Sequence, residues 1–166
     1  MRKAVYAGSF DPITNGHLWM VEEGARLFDE LVVAVGVNPD KRAEFDVTER
    51  LEMIKASLAE HPGVGVESFE NRYLVDYAAS LGAQYVLRGI RSQSDYEFEC
   101  GMRRVNEDLK PEVTTVFLIP PREIAEVSSS LVRGLIGPQG WQQVVRGYVP
   151  PPVFEVLVER YGRGKS

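Results

Sequence analysis

The feature that most constrains this chain is an alternation of short apolar runs with segments of helical periodicity. Residues 4–7 and 31–37 are rich in Val and Ala and show little polar alternation, which is typical of parallel strands covered on both faces. Between these two runs, apolar residues recur at helical spacing at Leu18, Val21, Ala25 and Phe28. The pattern predicts a strand, a helix and a second strand joined by a right-handed crossover.

The same alternation continues through most of the chain. Asp46 and Glu49 have the spacing of a capping box, so a helix is expected to begin after Asp46. Gly82 is expected to end the helix that precedes the fourth strand. Further strands are predicted, with apolar-striped helices between them, at residues 64–69, 85–87 and 113–119.

The C-terminal part of the chain carries two more helix signals. Ser128 has the position of an N-cap for a helix that Gly137 and Pro138 end. Three prolines at residues 150–152 precede a short amphipathic helix, whose apolar face must cover the body of the protein or a neighbouring subunit. Together the signals predict an α/β fold, a single domain over residues 1–166 with a doubly wound, Rossmann-like sheet of five parallel strands, flanking helices and a C-terminal helix.

Composition argues against several classes of function. The chain has 19 Lys plus Arg against 24 Asp plus Glu, a net charge of −5, which argues against a general nucleic-acid or anionic-membrane surface. Its single cysteine, Cys100, cannot build a disulfide framework or a Cys-rich zinc site and fits a reducing compartment. No apolar run approaches the roughly 20 residues of a membrane helix. A cytoplasmic location with no nucleic-acid and no membrane partner is therefore expected.

Cations and hydroxyls gather in the segments that follow the predicted strands. A doubly wound sheet binds ligands beyond the carboxyl ends of its strands. A polyphosphate needs backbone N–H groups at a helix start, hydroxyl donors and Arg or Lys side chains. Loops are polar in any case, so charge alone leaves a functional and a surface interpretation equally open. The segments are residues 8–12, 38–42, 71–72, 88–91 and 122–130.

The first of these segments favours function. Gly8 allows the backbone to turn or to approach a ligand, and Pro12 fixes one φ angle. Gly16 and His17 then begin a helix whose positive end faces the binding edge, so His17 is predicted to point into the crevice. The alternative is a polar residue near a helix end, and His61, which precedes Pro and Gly in a turn, is assigned no role.

Residues 8–17, Gly-Ser-Phe-Asp-Pro-Ile-Thr-Asn-Gly-His, resemble the signature of the nucleotidyltransferase superfamily, whose T/H-x-G-H element is residues 14–17 here. Residues 86–91 look like the R-G-[LI]-R element of the bacterial phosphopantetheine adenylyltransferase family. Its D-[FY]-E-x-E and I-S-S-S elements are similar to residues 95–99 and 127–130. Four elements in the same order, at the expected spacing, extend this resemblance over nearly the whole chain.

The resemblance implies transfer of AMP from ATP to 4′-phosphopantetheine, which gives dephospho-coenzyme A and pyrophosphate. No covalent enzyme intermediate is needed, and the chain shows no Ser-His-Asp or paired-carboxylate constellation. Mg²⁺ is expected to arrive with ATP, because no dedicated carboxylate cage is visible. Members of the family form hexamers, so a homohexamer is expected, with exposed apolar helix faces after residue 90 as its interface.

The resemblance also implies roles for individual residues. His17 would donate to an α-phosphate oxygen in the transition state and Lys41 would neutralise the acceptor phosphate. The catalytic set is His17, Lys41 and Arg91. The 4′-phosphopantetheine-binding set is Ser9, Lys41, Leu74 and Arg88. The ATP-binding set is Ser9, Phe10, His17, Gly89, Ile90, Arg91, Glu99, Ile124, Ala125, Glu126, Val127, Ser128, Ser129 and Ser130.

Each assignment has a structural alternative. Arg88 and Arg91 could be surface charges, and Glu99 a solvated helix residue. Leu74 could be simple core, and the serine triplet at residues 128–130 could be an N-cap with extra hydroxyls. Ile124 stands where the family often has an aromatic residue, so a stacking contact to adenine could be missing.

Two other functions remain open at this stage. One is a different small nucleotidyltransferase, such as a cytidylyltransferase or an adenylyltransferase that acts on a mononucleotide. The other is a noncatalytic nucleotide-sensing module that keeps the cleft without the chemistry. The R-G-[LI]-R and D-[FY]-E-x-E elements favour the pantetheine enzyme over the first, and the presence of His17, Lys41 and Arg91 argues against the second.

Overall fold

The computed structural model describes residues 1–162, so residues 163–166, the end of the predicted domain, lie outside the described part of the chain. All strand pairings of the sheet are parallel. The predicted α/β fold with a doubly wound, Rossmann-like sheet of five parallel strands is confirmed. Its strands are β1 (Lys3–Gly8), β2 (Glu30–Val37), β3 (Val64–Glu70), β4 (Tyr85–Gly89) and β5 (Thr114–Leu118), and their order in the sheet is β3-β2-β1-β4-β5.

Helices follow the strands as the apolar spacing predicts. The predicted capping box is confirmed, because the Asp46 side chain accepts from the Glu49 N–H and the Glu49 side chain accepts from the Asp46 N–H. Gly82, at φ +70°, follows the end of the third helix. The helices are α1 (Asn15–Leu27), α2 (Val47–Ser57), α3 (Leu74–Ser80), α4 (Gln93–Leu109), α5 (Ser129–Leu135), α6 (Trp141–Val145) and α7 (Pro151–Tyr161).

The short helix α6 is absent from the sequence prediction, which assigns no element between Pro138 and the prolines at residues 150–152. Gly140 precedes it in the left-handed region at φ +83°, a conformation that glycine adopts without strain. Trp141 and Val145, one helical turn apart, are both buried in the larger of the two hydrophobic cores, the main core described below. Tertiary burial of these two side chains, rather than a long periodic stripe, stabilises the helix.

The apolar face of the C-terminal helix α7 packs on the body of this chain, which was the first of the two alternatives given above, the other being a neighbouring subunit. Val153 and Leu157 are fully buried in the main core. Arg160 lies over the Phe45 ring, 4.3 Å from its centroid, and pairs with Glu49 on α2. The helix therefore closes the molecule on the side of α2.

The sheet is covered on both faces, as its apolar strands require. Ala4 and Tyr6 of β1 belong to one core, which contains side chains of α1, α2, α5, α6 and α7. Val5 and Ala7 belong to the other, which contains side chains of α3. Successive side chains of a strand point to opposite faces, so β1 contributes side chains to both cores.

The chain changes direction in the sheet between β1 and β4. From β1 it proceeds outward to β2 and β3, then returns to pair β4 against the other side of β1, with Tyr6 opposite Leu87. Loops that follow these two strands diverge, which leaves a crevice at their carboxyl ends. Within the described part of the chain, no helix has the length and apolar character that crossing a membrane requires.

Candidate active site

A cleft of about 350 Å³ opens at this crevice, beyond the carboxyl ends of β1 and β4. Met20 of α1 and Asp95 of α4 complete its walls. A larger hollow of about 760 Å³ beside residues 136–142 contains none of the predicted site residues. The predicted residues that line the cleft are Ser9, His17, Arg88, Gly89, Arg91, Glu99, Ile124 and Val127.

His17 is fixed by the cap of the helix on which it lies. Thr14, fully buried, is the N-cap of α1, and its hydroxyl accepts from the His17 N–H at 3.4 Å. In return the Thr14 N–H donates to His17 Nδ1 at 3.0 Å. Because Nδ1 is an acceptor, the proton of the neutral ring is on Nε2. The cap thus leaves one ring N–H for the cleft.

The surroundings of His17 keep its imidazole neutral. Burial, and after it the positive charge of Arg91, lower the pKa of His17 from 6.5 to about 4. The Phe10 ring lies edge-on to the imidazole with 5.1 Å between the ring centroids. A neutral N–H donor at a helix start, beside a guanidinium, is suited to an anionic oxygen.

Gly16 allows the wall formed by residues 124–127 to approach the start of α1. A Cβ atom at Gly16 would lie 2.7 Å from the carbonyl oxygen of Val127, closer than such atoms approach in real structures. Ile124 and Val127 line the cleft, with Ile124 half-buried and Val127 buried. Ala125 and Glu126 lie between them in the same turn and are absent from the lining. The glycine of the T-x-G-H element is therefore required by close packing.

Arg88 and Glu99 form an ion pair that lines the same cleft as His17. The Arg88 guanidinium donates through Nε at 2.9 Å and Nη2 at 2.5 Å to Glu99 Oε1, and through Nη1 at 2.8 Å to the Ala7 carbonyl. Glu99 is only 6% exposed, which rules out the interpretation that it is a solvated helix residue. The pair ties α4 to the ends of β1 and β4 while the Arg88 side chain still faces the cleft.

Arg91 is the more exposed guanidinium of the cleft. Its Nε lies 3.3 Å from the Asp95 carboxylate, which also accepts from the Arg91 N–H at 3.2 Å. Gly89 packs against Met20, with space for a Cβ only 3.3 Å from the sulfur. Ile90 is buried and absent from the cleft lining, and its N–H donates to the Leu118 carbonyl at 2.9 Å. Partial exposure leaves the Arg91 charge available to a ligand at the cleft mouth.

The serine triplet at residues 128–130 has structural partners of its own. The Ser128 side chain accepts from the Leu131 N–H at 3.1 Å, which confirms the predicted N-cap of α5. The Ser129 hydroxyl donates to the Pro12 carbonyl at 2.8 Å and so joins α5 to the β1–α1 loop, residues 9–14. Ser130 Oγ accepts from Arg133 at 3.3 Å. None of the three lines the cleft, although they follow directly on its wall.

Ser9 and Phe10 begin the β1–α1 loop. Phe10 has φ 45°, in the left-handed region that a non-glycine residue enters only at some cost. Its side chain is 1% exposed and packs edge-on against Tyr6, with 5.4 Å between centroids, as well as against His17. Ser9 is exposed at the cleft. Packing of the Phe10 ring under the loop holds the strained backbone in place.

Lys41 and Leu74, both assigned to the acceptor, are absent from the cleft lining. Lys41 lies on an exposed segment, residues 38–44, which we call the Lys41 loop. Its N–H and that of Asp40 both bond to Asn38, at 3.1 and 2.9 Å. Leu74 is the first residue of α3 and packs partly buried against the second core. The structure therefore brings Ser9 and Arg88 of the acceptor set into the cleft and leaves Lys41 and Leu74 outside its lining.

Three polar residues that sequence reasoning missed hold the cleft together. Arg50 of α2 is 5% exposed and donates to the Ser9 carbonyl at 2.9 Å. Asp11 is 7% exposed, and its carboxylate accepts from the N–H groups at the end of the Lys41 loop, those of Glu44 and Phe45. Arg133 of α5 donates to the Asp11 carbonyl. The sequence signals for them are the place of Asp11 within the signature at residues 8–17 and the position of Arg50 on the apolar face of α2, four residues before Ile54.

No group of three or more His, Cys, Asp or Glu side chains within residues 1–162 is arranged to hold a metal ion. The two carboxylates at the cleft, Asp95 and Glu99, are each paired with an arginine. These donor sets do not fit a resident metal bound by protein ligands alone.

Comparison with known proteins places these features in a family. The cytidylyltransferase-like family model matches residues 5–135. A phosphopantetheine adenylyltransferase of Chromobacterium violaceum is 56% identical over 161 residues, covering 97% of this chain and 98% of that protein. The protein of the same name from Neisseria meningitidis serogroup C is 54% identical over 160 residues, covering 96% and 94%. That of Heliobacterium modesticaldum is 43% identical over 169 residues, covering 100% and 98%.

Solved structures with the same fold are more distant in sequence. The nicotinic acid mononucleotide adenylyltransferase of Plasmodium falciparum, complexed with NaAD, superposes with a TM-score of 0.72 at 15% identity, covering 98% of this chain and 96% of that one. A lipopolysaccharide core biosynthesis protein of Thermoplasma volcanium superposes at 0.54 and 22% identity, covering 73% and 97%. At these identities the two likenesses establish the fold alone.

Proposed function

Because this chain belongs to the cytidylyltransferase-like family and, within it, to the phosphopantetheine adenylyltransferases, we propose that its cleft aligns ATP with 4′-phosphopantetheine. The chain is a pantetheine-phosphate adenylyltransferase of coenzyme A biosynthesis, and it transfers AMP from ATP to form dephospho-coenzyme A and pyrophosphate. The observation that carries the site assignment is the neutral His17 N–H at the switch point of the sheet.

The chemistry asks the protein for alignment and charge stabilisation. An oxygen of the acceptor phosphate attacks the α-phosphorus of ATP and forms a new P–O–P bond. The bond from the α-phosphorus to the oxygen that bridges to the β-phosphate breaks, and its electron pair leaves on pyrophosphate. The nucleophile is already an anion, so no side chain has to remove a proton.

His17 is the residue we assign to the reacting phosphorus. Thr14 occupies Nδ1, so the Nε2–H is the donor, and it would stabilise charge that builds on an α-phosphate oxygen. A neutral imidazole needs no proton from solvent to play this part, and the lowered pKa keeps it neutral at physiological pH. Phe10, behind the ring, limits its movement.

The cations are divided between the two substrates. Arg91, at the open mouth of the cleft, is assigned to the triphosphate together with the turn at Gly89 and Ile90 and the helix start at residues 128–130. Arg88 and Lys41 are assigned to the acceptor phosphate, with Ser9 between the two substrates. Leu74 would line the pantetheine arm, and Glu99 orients Arg88 while it faces the nucleotide side.

Mg²⁺ enters the proposal as part of the substrate. It neutralises triphosphate and the pyrophosphate leaving group when it is bound to ATP. The pairing of Asp95 and Glu99 with arginines supports its arrival with ATP rather than residence on protein ligands. Residues of this chain contribute the cationic mouth at Arg91, into which the metal-bound triphosphate would fit.

A homohexamer is proposed from an exposed apolar stripe on α4. Its members recur at helical spacing and have exposed fractions of 63%, 38%, 46% and 40% at Phe98, Met102, Val105 and Leu109. An apolar stripe of this length favours contact with another protein surface. Light scattering should give the mass of six chains, and Met102→Glu should lower it. A single-chain mass for the unmodified protein would contradict the proposal.

A cytosolic location and a single domain over residues 1–166 also remain our proposals. The single Cys100 supports the first. The second is supported by one sheet whose two cores both include side chains of β1.

The experiment that tests the function is pyrophosphate release from ATP and Mg²⁺ with a panel of phosphate acceptors. We expect release with 4′-phosphopantetheine and none above background with nicotinic acid mononucleotide or with an alcohol phosphate. Dephospho-coenzyme A should accumulate in equal amount. Absence of release with 4′-phosphopantetheine would contradict the assignment.

A further inference from the structure

Asp11 is a buried carboxylate that joins two loops at the edge of the cleft. Its Oδ2 accepts from the Glu44 N–H and its Oδ1 from the Phe45 N–H, both at 2.9 Å. The residue is 7% exposed, and Phe45, which follows the Lys41 loop, is 1% exposed. One buried carboxylate therefore binds two successive backbone N–H groups.

The β1–α1 loop that carries Asp11 is itself fixed by other elements. Arg133 donates to the Asp11 carbonyl, and its Nη1 lies 3.8 Å from Asp11 Oδ2. The neighbouring Pro12 carbonyl accepts from Ser129 at 2.8 Å. Other elements therefore fix Asp11 in place, and Asp11 in turn holds the backbone of Glu44 and Phe45 at the end of the Lys41 loop.

The Lys41 loop depends on few other contacts. Residues 38–44 are all exposed, and the hydrogen bonds of Asp40 and Lys41 go back to Asn38. Glu44 contacts α7 through other atoms, because its carbonyl accepts from Arg160 and its carboxylate from Tyr161. The Glu44 N–H, three residues after Lys41, bonds to Asp11.

We propose that Asp11 is a positioning residue that sets Lys41 for the acceptor phosphate. The inference rests on the proposed function, in which Lys41 neutralises that phosphate. Asp11 does not touch a substrate in this account, since its carboxylate is buried and accepts from the Glu44 and Phe45 N–H groups. It fixes the end of the Lys41 loop to the same segment that carries His17, so acceptor and donor sites keep their separation.

Asp11→Asn is the sharpest variant because it replaces one carboxylate oxygen by an NH₂ group. That group points a donor at the N–H of Glu44 or Phe45 and leaves the volume unchanged. Asp29→Asn is the matched control, since the Asp29 carboxylate also accepts from a backbone N–H and from a guanidinium, both of Arg2. Asp29 lies at the start of β2, at the opposite edge of the sheet.

We expect Asp11→Asn to raise KM for 4′-phosphopantetheine about tenfold, with KM for ATP within about twofold of the unmodified enzyme. Asp29→Asn should change neither. In a Lys41→Ala background, Asp11→Asn should add less than about twofold, because the two residues act in one step. Equal effects on both substrates, effects that multiply in the double variant, or an unchanged KM for the acceptor would overturn the inference.

The outcome separates this inference from the proposed function. An unmodified protein that releases no pyrophosphate refutes the function, whereas an active protein with an unaltered Asp11→Asn variant refutes only the role of Asp11. Should the variant be too unstable to assay, hydrogen exchange in the unmodified protein decides. The Glu44 and Phe45 amides should exchange about a hundredfold more slowly than those of Arg42 and Ala43. Equal exchange rates would overturn the inference.

Discussion

The β1–α1 loop and the Lys41 loop follow neighbouring parallel strands at the same edge of the sheet and differ in how firmly they are held. Several elements bind the first: Arg50 donates to the Ser9 carbonyl, Ser129 to the Pro12 carbonyl, and Arg133 to the Asp11 carbonyl. Asn15, the first residue of α1, bonds to the Gly147 and Tyr148 carbonyls before α7. Residues 38–44 of the second loop are exposed; Asp40 and Lys41 bond back to Asn38, and the contacts to other elements are made at Glu44, the last residue of the loop.

The difference indicates that the His17 side of the cleft is preorganised and the Lys41 loop is not. Donors aimed at developing charge are most effective when they do not have to move, and the His17 side of the cleft meets that condition. Exposed segments with few buried contacts open at low free energy, so the Lys41 loop is free to close over an acceptor. We expect ATP to bind groups that are already in place, and the acceptor to order the Lys41 loop when it binds.

The largest effect should come from the rigid side. His17→Ala removes the Nε2–H donor, and we expect kcat to fall on the order of a hundredfold or more while the Kd of ATP changes little. Steady-state kinetics and calorimetric ATP binding measure the two quantities. His61→Ala, in the turn between α2 and β3, is the control and should leave both unchanged. If ATP binding collapsed while bound substrate still turned over, His17 would be an anchor instead.

A second substitution disturbs the close packing that holds the His17 side of the cleft in place. A Cβ at Gly16 would lie 2.7 Å from the Val127 carbonyl, so Gly16→Ala should push α1 away from residues 124–127. We expect kcat to fall on the order of ten- to a hundredfold and stability by about 1–3 kcal/mol. Gly134→Ala, where nothing lies within 4 Å, should be neutral or stabilising by up to about 1 kcal/mol. Equal melting temperatures for the two variants would show that Gly16 is not tightly packed.

On the mobile side the expected effect is smaller and confined to one substrate. Lys41→Ala should raise KM for 4′-phosphopantetheine about tenfold and leave the melting temperature unchanged, because the side chain is exposed. Arg42→Ala, the adjacent exposed cation, should alter KM by less than about twofold. Initial rates at saturating ATP distinguish the two. A similar loss in both variants would indicate a general electrostatic attraction instead of a specific contact.

The effect that is smallest near neutral pH is that of pH on stability. The pKa of His17 is lowered from 6.5 to about 4 in the folded state, so unfolding takes up a proton between these values. Its stabilising contribution is therefore complete above about pH 6.5 and is lost as the pH falls toward 4. Urea unfolding should show a steeper loss for the unmodified protein than for His17→Asn, by up to about 1.4 kcal/mol per pH unit. Parallel curves would mean that His17 titrates normally.

Much of the rigid side was predictable from the sequence, because local signals specify it. Short runs such as residues 31–37 identify buried strands, and the loop after the first strand leads directly into the helix that carries His17. The parallel order of the strands then brings the loops together at one edge. Capping also has a local signature, as the confirmed box at Asp46 and Glu49 shows.

The partners of the site residues could not be predicted, because they depend on contacts distant in sequence. Arg88 and Glu99 could have been a surface charge and a solvated helix residue, and only the folded chain, which brings Glu99 of α4 against Arg88 of β4, pairs them. Asp11 and Arg133 are 122 residues apart. The helix at Trp141–Val145 is too short for periodicity to reveal and depends on the burial of its two ends.

The most direct test of the central claim is the ionisation and tautomer of His17 in the unliganded protein. Long-range ¹H–¹⁵N NMR of the imidazole, followed through a pH titration, reports both. The hydrogen bond from the Thr14 N–H to Nδ1 predicts a neutral ring protonated on Nε2, with a pKa near 4. A proton on Nδ1, or a pKa near the ordinary 6.5, would contradict a neutral donor preset toward the α-phosphate.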